Sequence, residues 1–229
     1  MKGKLSLTNN QLKIIAMLTM LIDHVGVYLY PSVEWLRIVG RISLPIFAYM
    51  IAEGCRHTKH RLRYFLQIAI LALGCQLVFF FAMGSLYQGI LVTFSLAILV
   101  VYAVDNFLKR KDALSCGLAL LAISVAIFLT VFAPSAWSNT DFAVDYGIGG
   151  VALPVLIYFA PSKWWKLLAT AVGIVVLAVW LMPRQWWALL SLPFLALYSG
   201  ERGKLKMKYF FYIFYPAHLV ALYLIGMLI

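Results

Sequence analysis

Long apolar runs recur along the whole chain, and they constrain its fold more than any other feature of the sequence. Each run approaches the roughly 20 residues that a helix needs to cross the hydrocarbon core of a bilayer. Hydrophobic residues make up 64% of the 229 residues and charged residues only 12%, well below the roughly 25% of a soluble domain. The sequence therefore predicts an all-α, polytopic integral membrane protein, with a single transmembrane domain over residues 1–229.

Charged, proline and glycine residues separate these runs into nine predicted helices. The predicted spans are 12–30, 36–54, 62–83, 88–105, 113–133, 144–160, 163–181, 185–199 and 208–228. The second and eighth have the weakest signals, and the eighth contains Pro193 and is short enough to be a re-entrant or broken helix. The basic N-terminal segment resembles that of a signal peptide, but no small-residue cleavage site follows, so the first helix is predicted to be retained.

Lysine and arginine residues are concentrated in alternate loops, which predicts the orientation of the chain. Fifteen of the 19 lie in the N-terminal segment and in the second–third, fourth–fifth, sixth–seventh and eighth–ninth loops. Because basic loops stay on the cytoplasmic side, we expect nine spans in a bacterial cytoplasmic membrane, with the N-terminus inside and the C-terminus outside. The net charge of +11 is then mainly a topology signal and secondarily a site for anionic lipid or an anionic cofactor. Nucleic acid is not an expected partner.

The cysteines do not predict a metal site or a disulfide framework. Cys55, Cys75 and Cys116 are too few and too scattered for either. We interpret them as small packing residues and expect no metal cofactor.

Two adjacent ionisable residues, Asp23 and His24, interrupt the first predicted helix. His24 lies about 16 Å along the helix axis from Lys13, near the middle of the bilayer, where an aspartate costs about 2.5–3.5 kcal/mol. Neighbouring helix positions point in different directions, so each residue needs its own partner. Arg37 and Arg41 share one face of the second helix, and we expect an Asp23–Arg41 ion pair. It is either a structural clamp or a device that holds His24 and binds an anionic or carbonyl group.

His218, in the last predicted helix, is expected at a depth similar to that of His24. Pro216 lies two residues before it and cannot donate a backbone hydrogen bond, so the helix should kink there and free the carbonyl of Tyr212. A kink beside a histidine makes a pocket plausible. The sequence leaves both a structural and a functional role open for His218.

Four stretches carry a family resemblance: "LKIIAMLTMLIDHVG", "LRIVGRISLPIFAYMIAEGCRHT", "DYGIGGVALP" and "KYFFYIFYPAHL". They resemble the TraX family of integral membrane proteins, named for the enzyme that acetylates the N-terminus of conjugative pilin. The resemblance extends to the broader acyltransferase-three class, in which a basic residue precedes a catalytic histidine with ten residues between them, as Lys13 precedes His24. The paired arginines of that class are spaced R-x-x-R, whereas Arg37 and Arg41 have three residues between them.

The resemblance implies an acetyl-CoA-dependent N- or O-acetyltransferase with His24 as catalytic residue and Lys13 as cofactor ligand. An imidazole suits a general base because its ordinary pKa lies near operating pH. The expected site has three groups. The catalytic group is Asp23, His24, Arg41 and His218. The cofactor group, on the cytoplasmic side where basic residues meet the phosphates of acetyl-CoA, is Lys13, Arg37, Glu53, Arg56, His57, Lys59, Arg61 and Arg63. The acceptor group is Asp145, Tyr146 and Tyr215.

The sequence leaves the acceptor and the oxyanion donor open. The acceptor is a pilin-like peptide, a glycan or a lipid, and either Arg41 or Tyr146 is a candidate donor for the oxyanion. Glu53 either shapes the cofactor entrance or is neutralised by Arg56. Two other functions fit the same ionisable residues. One is a proton-coupled transporter, and the other is a non-catalytic membrane component of a conjugation or secretion system.

Overall fold

A computed structural model describes residues 6–203 and 208–228 of the chain. Within those residues the secondary structure is predominantly helical. The α-helices are α1 Asn9–Tyr28, α2 Glu34–Gly40, α3 Ser43–His57, α4 Arg61–Met83, α5 Ile90–Arg110, α6 Ala113–Ile127, α7 Ala133–Ala136, α8 Gly147–Phe159, α9 Lys163–Trp180, α10 Leu192–Ala196 and α11 Lys208–Gly226. A π-helical segment, Phe128–Phe132, joins α6 to α7, and a 3₁₀ helix, Pro183–Ser191, precedes α10. Lys2, Lys4 and the segment 204–207, which contribute to the predicted orientation, lie outside the described residues.

Six helical segments among the described residues are long and apolar enough to cross a membrane. They are Asn9–Tyr28, Glu34–His57, Arg61–Met83, Ile90–Arg110, Ala113–Ala136 and Lys163–Trp180. Gly147–Phe159 and Phe210–Gly226 are apolar but shorter. The protein is therefore an all-α membrane protein, as the sequence predicts, and these lengths support six spans rather than a count of nine.

The second and eighth predicted helices differ most from expectation. The second is divided into α2 and α3, and the interruption falls at Arg41 and Ile42, where the Ser43 hydroxyl donates to the Gly40 carbonyl at 2.8 Å. The eighth consists of the 3₁₀ helix and the five-residue α10. Prolines at the start of the 3₁₀ helix and within α10 lack a backbone N–H, which limits helical hydrogen bonding there. The region is thus a broken helix, one of the two forms that its sequence allows.

The chain divides into two compact units, and each is described by itself. The first comprises the residues up to Met50 and those from Ser162 onward. In this unit the segment before α1 pairs with the segment after α10, because Leu7 N–H donates to the Leu197 carbonyl and Ser199 N–H to the Leu7 carbonyl, both at 2.8 Å. Helix α1 begins in a capping box, in which Thr8 and Gln11 satisfy each other's backbone N–H groups. It packs against α2 and α11.

Glycines let α1 and α2 approach closely. A Cβ at position 26 would lie 2.8 Å from the Cβ of Leu36, and a Cβ at position 40 would overlap the carboxylate of Asp23. Small residues at helix contacts are a common feature of membrane proteins. Here they place an acidic residue of α1 directly against the backbone of α2.

The second unit runs from Ile51 to Pro161. Helices α5, α6 and α8 pack around a core of small and β-branched residues that includes Ala97, Val100, Ala126 and Val151. Helix α4 packs on α5, and many of its large apolar side chains remain exposed, among them Ile70 and Phe81. Exposed apolar side chains on a helix of this length are expected where it faces lipid.

Two loops of the second unit are joined on one side of that core. Asp141 accepts hydrogen bonds from the Ser85 hydroxyl at 2.6 Å and from the Leu86 N–H at 2.8 Å. These bonds hold the pKa of the Asp141 carboxyl below its ordinary value. Gln88 and Asp145 add a backbone bond at 2.9 Å between the same loops. The carboxylate of Asp141 therefore joins the two loops by hydrogen bonds, and we call this pair of bonds the Asp141 clip.

Candidate active site

Asp23 lies between two arginines inside the first unit. Its Oδ1 accepts from Arg41 Nη2 at 2.6 Å, and its Oδ2 accepts from Arg37 Nη1 at 2.8 Å. Arg37 Nη1 also lies 3.3 Å from the Asp23 carbonyl. The expected Asp23–Arg41 ion pair is therefore present. Arg37, which the sequence places with the cofactor ligands, is a second partner of the same carboxylate.

The two arginines reach one carboxylate because they lie one helical turn apart on α2. Residues i and i+4 share a helix face, and Arg41 Nε donates to the Arg37 carbonyl at 3.2 Å, which fixes its side chain. Gly40, between them, leaves room for the carboxylate itself. Helix α2 thus presents both guanidinium groups to the same point on α1.

The cluster is buried and carries a net positive charge. The side chain of Arg41 is 5% exposed and that of Asp23 12%, whereas Arg37 is 24% exposed. One carboxylate against two guanidinium groups leaves a formal charge of +1 where water is scarce. Such a cluster favours binding of an anion or of an oxygen that gains negative charge. Arg37, the more exposed of the two, is the better placed to meet such a group.

His24 and His218 form a hydrogen-bonded pair. His24 Nδ1 lies 2.8 Å from His218 Nε2. That separation fits a shared proton, since a tetrahedral zinc ion holds two nitrogen ligands roughly 3.3 Å apart. No group of three or more His, Cys, Asp and Glu residues that could hold a metal occurs in the described part of the chain. His218 is 6% exposed and His24 is partly buried, so His24 is the more exposed ring of the pair.

Aromatic residues surround the histidine pair. The His218 ring lies 4.8 Å from the Phe214 ring and nearly parallel to it, and Tyr215 meets it edge-on at 5.7 Å. The ring centroid of Tyr28 is 6.1 Å from that of His24. Tyr215, expected to bind the acceptor, is thus a neighbour of the pair. These rings exclude water from one side of the two imidazoles.

Lys13 is on the same helix as His24 but contacts a different residue. Its Nζ lies 5.3 Å from the centre of the Phe211 ring, a cation–π contact. The structure places it in the first unit with the histidine pair, and its role as a cofactor ligand stays a prediction.

Apart from Lys13 and Arg37, the residues expected to bind the cofactor lie in the second unit. The Arg56 guanidinium donates to the carbonyls of Tyr158 and Ala160. Glu53 lies 3.7 Å from His57 Nδ1, and its neutralisation by Arg56 stays a prediction. Arg56 caps the C-terminal end of α8, where carbonyls lack helical partners.

Asp105 holds another of these basic residues. It accepts from Arg61 Nη2 at 2.5 Å and from Lys109 Nζ at 2.7 Å. Arg63 and Lys59 are exposed. Within this group, Arg63 and Lys59 are therefore better placed than Arg61 to meet an external phosphate.

Two residues expected to bind the acceptor precede α8. Asp145 accepts from the Tyr87 hydroxyl at 2.8 Å, and its carbonyl accepts from Thr93 at 2.7 Å. Tyr146 adopts a left-handed conformation with φ of 58°, which is uncommon for a residue with a side chain. Both residues belong to the second unit, and their role in acceptor binding stays a prediction.

Sequence reasoning missed two features of the site. It assigned one arginine to Asp23 where the structure has two, although the shared helix face of Arg37 and Arg41 was a usable signal. It placed His24 and His218 at a similar depth but did not predict that they bond to each other. The two histidines are 194 positions apart, and a single sequence carries no signal for which rings meet across that distance.

The fold and the site together define a polytopic α-helical membrane protein with ionisable groups inside its membrane helices. Such groups are rare and mark functional sites. A family model described as TraX protein matches residues 8–226, so the chain belongs to the TraX family. It is 27% identical over 242 residues to the probable fimbrial assembly protein FimC, serogroup H1, of Dichelobacter nodosus, covering 93% of each chain.

A second relative is an uncharacterized protein of Rickettsia prowazekii (strain Madrid E). It is 27% identical over 158 residues, which cover 68% of this chain and 58% of the relative. No solved structure matches the chain. The family assignment therefore rests on the sequence match.

Proposed function

We propose that this protein is a membrane-embedded acetyltransferase that moves an acetyl group from acetyl-CoA to an amine or hydroxyl acceptor. The observation that supports it most is the placement of His24. Its imidazole is bonded through Nδ1 to His218, and the residue directly before it in α1, Asp23, carries two arginines on its carboxylate. A general base beside a cationic group that can stabilise an oxyanion is the arrangement that acyl transfer needs.

In the proposed step, the acceptor nitrogen or oxygen attacks the thioester carbonyl carbon and forms the new bond. His24 takes the acceptor's proton, and the carbonyl oxygen gains negative charge that Arg37 stabilises. The carbon–sulfur bond then breaks. The leaving sulfur of coenzyme A takes the proton back from His24, so the enzyme returns to its starting state.

We further propose the orientation in which acetyl-CoA enters from the cytoplasm. It places the N-terminus and the basic loop between α3 and α4 on the inner side of a bacterial cytoplasmic membrane, because basic loops stay in the cytoplasm. Lys59 and Arg63 are the phosphate ligands proposed for the second unit, and Lys13 is the one proposed for the first. The name of the Dichelobacter relative refers to fimbrial assembly, which favours a pilin-like peptide as acceptor over a glycan or a lipid.

The decisive experiment measures release of free coenzyme A thiol from acetyl-CoA by the purified protein. His24→Gln should lower turnover by about 10²–10⁴-fold, because the base acts in the transition state. The affinity for acetyl-CoA, measured by calorimetry, should stay close to that of the wild type. His60→Gln, an exposed histidine at the start of α4, is the matched control and should keep full turnover. Full turnover by the His24 variant would disprove the assignment.

A separate experiment tests the cofactor side. Arg63→Glu should weaken acetyl-CoA binding, and added salt should weaken binding to the wild type in the same direction, because exposed phosphate contacts are screened. Lys111→Glu, an exposed basic residue in the α5–α6 loop, controls for the change in overall charge. Binding that is insensitive to both salt and the Arg63 change would remove this cluster from the cofactor site.

A non-catalytic membrane component of a fimbrial or conjugation system is the second candidate, because the Dichelobacter relative is named for assembly rather than for a reaction. Such a protein should support assembly when His24 is replaced by Gln. A proton-coupled transporter would need the same residue without consuming acetyl-CoA. Acetyl-CoA turnover by the wild type, lost in the His24 variant, distinguishes the enzyme from both.

A further inference from the structure

A chain of two hydrogen bonds runs from the backbone of α11 to the ring of His24. The Phe214 carbonyl lies 2.8 Å from His218 Nδ1, and His218 Nε2 lies 2.8 Å from His24 Nδ1. Both distances are those of ordinary hydrogen bonds. The direction of each bond determines where the protons of both rings are.

The two imidazoles meet edge to edge. Their ring centroids are 5.0 Å apart and their planes are tilted by 22°, while the bonded nitrogens are 2.8 Å apart. The difference between these separations, 2.2 Å, is about twice the radius of an imidazole ring. The bonded nitrogens therefore lie on the line between the rings, which is the geometry of an N–H···N hydrogen bond rather than of face-to-face stacking.

The carbonyl of Phe214 can only accept, so His218 Nδ1 must carry the proton of the first bond. A neutral imidazole has one N–H, and His218 Nε2 is then an acceptor. It accepts from His24 Nδ1, which takes the single proton of the second ring. His24 Nε2 is left with a bare lone pair.

The alternative is a doubly protonated His218 that donates from both nitrogens. It would place a positive charge on a ring that is only 6% exposed. Burial disfavours the charged form of an imidazole, so a doubly protonated His218 is strongly disfavoured. The neutral pair is the consistent assignment.

We infer that His218 is a positioning residue that fixes His24 in the Nδ1–H tautomer and leaves Nε2 free to accept a proton. The assignment of the tautomer follows from the geometry alone, whereas the role of His218 in catalysis rests on the proposed function. When His24 Nε2 takes the acceptor's proton, the bond from His24 Nδ1 to His218 becomes charge-assisted and stronger. His218 thereby stabilises the transition state more than the resting state.

Nitrogen NMR of protein labelled with ¹⁵N-histidine tests the tautomer directly, since protonated and bare ring nitrogens have different chemical shifts. In the wild type at neutral pH, His24 should show a protonated Nδ1 and a bare Nε2, with His24→Gln used to assign the signals. His218→Phe keeps a ring beside Phe214 but removes the acceptor, and the protonated Nδ1 signal of His24 should weaken. A protonated Nε2 in the wild type, or no change in the Phe variant, would overturn the inference.

The activity of the same variants tests the positioning role. His218→Phe should lower thiol release from acetyl-CoA by about 10–100-fold, the range for losing the hydrogen-bond partner that orients a metal-ligating histidine, with affinity for acetyl-CoA retained. His218→Gln places an amide oxygen near the lost Nε2 and should restore part of the rate and the Nδ1–H signal of His24. A Gln variant no better than the Phe variant in both measurements would count against the inference. If the Phe variant does not fold, the wild-type spectrum and the Gln variant suffice.

The two proposals fail in different ways. The expected His24 spectrum without acetyl-CoA turnover by the wild type would overturn the acetyltransferase and leave the tautomer assignment supported. Acetyl-CoA turnover that depends on His24, with a protonated Nε2 in the resting enzyme, would support the acetyltransferase and overturn the role of His218.

Discussion

Replacing Asp23 by Asn should destabilise the protein more than any other single change in the arginine cluster. The variant removes both ion pairs, at 2.6 and 2.8 Å, and takes the carboxylate's negative charge away from two guanidinium groups. Arg41, at 5% exposed, cannot recover this by hydration. Breaking a buried pair from one side typically costs about 3–5 kcal/mol in the free energy of unfolding, and we expect a loss in that range.

The two arginine variants should cost less, and in a fixed order. Arg37→Gln leaves the buried Asp23–Arg41 pair intact, and the 24% exposure of Arg37 weakens the lost interaction, so about 1–2 kcal/mol is expected. Arg41→Gln removes the more buried partner and should fall between Arg37→Gln and Asp23→Asn.

Unfolding of the purified variants in mixed detergent micelles, followed by tryptophan fluorescence, measures these differences. Glu201→Gln is the matched control, because Glu201 is an exposed acidic residue of the same unit, and it should stay within about 0.5 kcal/mol of the wild type. The reasoning is refuted if Asp23→Asn unfolds within about 1 kcal/mol of the wild type. An Arg37 variant as unstable as the Asp23 variant would refute the predicted order.

Three further outcomes follow from packing, topology and charge. Gly40→Ala should lower thermal stability because its Cβ overlaps the carboxylate packed against it, whereas Gly117→Ala, which meets nothing within 4 Å, should not; equal stability would contradict the packing. In a cysteine-free background, a membrane-impermeant thiol reagent should label Ser138→Cys and spare Thr58→Cys in intact cells, and the reverse pattern would invert the proposed orientation. The clip made by Asp141 has a lowered pKa, so its contribution to thermal stability should be present at neutral pH and lost as the pH falls through that lowered pKa. Asp141→Asn should lack this component, and an identical pH dependence in both proteins would show that the clip contributes nothing.

The sequence predicts most of the helices because membrane spans obey a simple rule. A run of about 20 apolar residues must form a helix in lipid, where unpaired backbone groups are costly. The predicted 62–83 and the observed Arg61–Met83 therefore nearly coincide. The 3₁₀ helix Pro183–Ser191 was less predictable, since its buried stripe, Gln185, Ala188 and Ser191, recurs every third residue and the segment is too short to span.

Local periodicity also predicts part of the site. Two arginines four positions apart on one helix and an aspartate at a suitable depth on its neighbour predict the Asp23–Arg41 pair, because helix geometry fixes both the face and the rise. The same pattern makes Arg37 a candidate second partner but does not establish that it shares the carboxylate. That depends on how closely α1 and α2 approach at Gly26 and Gly40, which is a property of the packing.

By itself, the sequence determines the membrane class, the positions of most helices and which ionisable residues lie within them, since each follows from the free energy of transferring local segments into lipid. Only the tertiary structure decides which of those residues meet. His24 and His218 come together because α11 packs against α1. Which ring nitrogens carry protons depends on the Phe214 carbonyl. Hydrogen bonds are short-ranged and directional, so an error of a few ångströms in helix placement, invisible to hydropathy, would remove them.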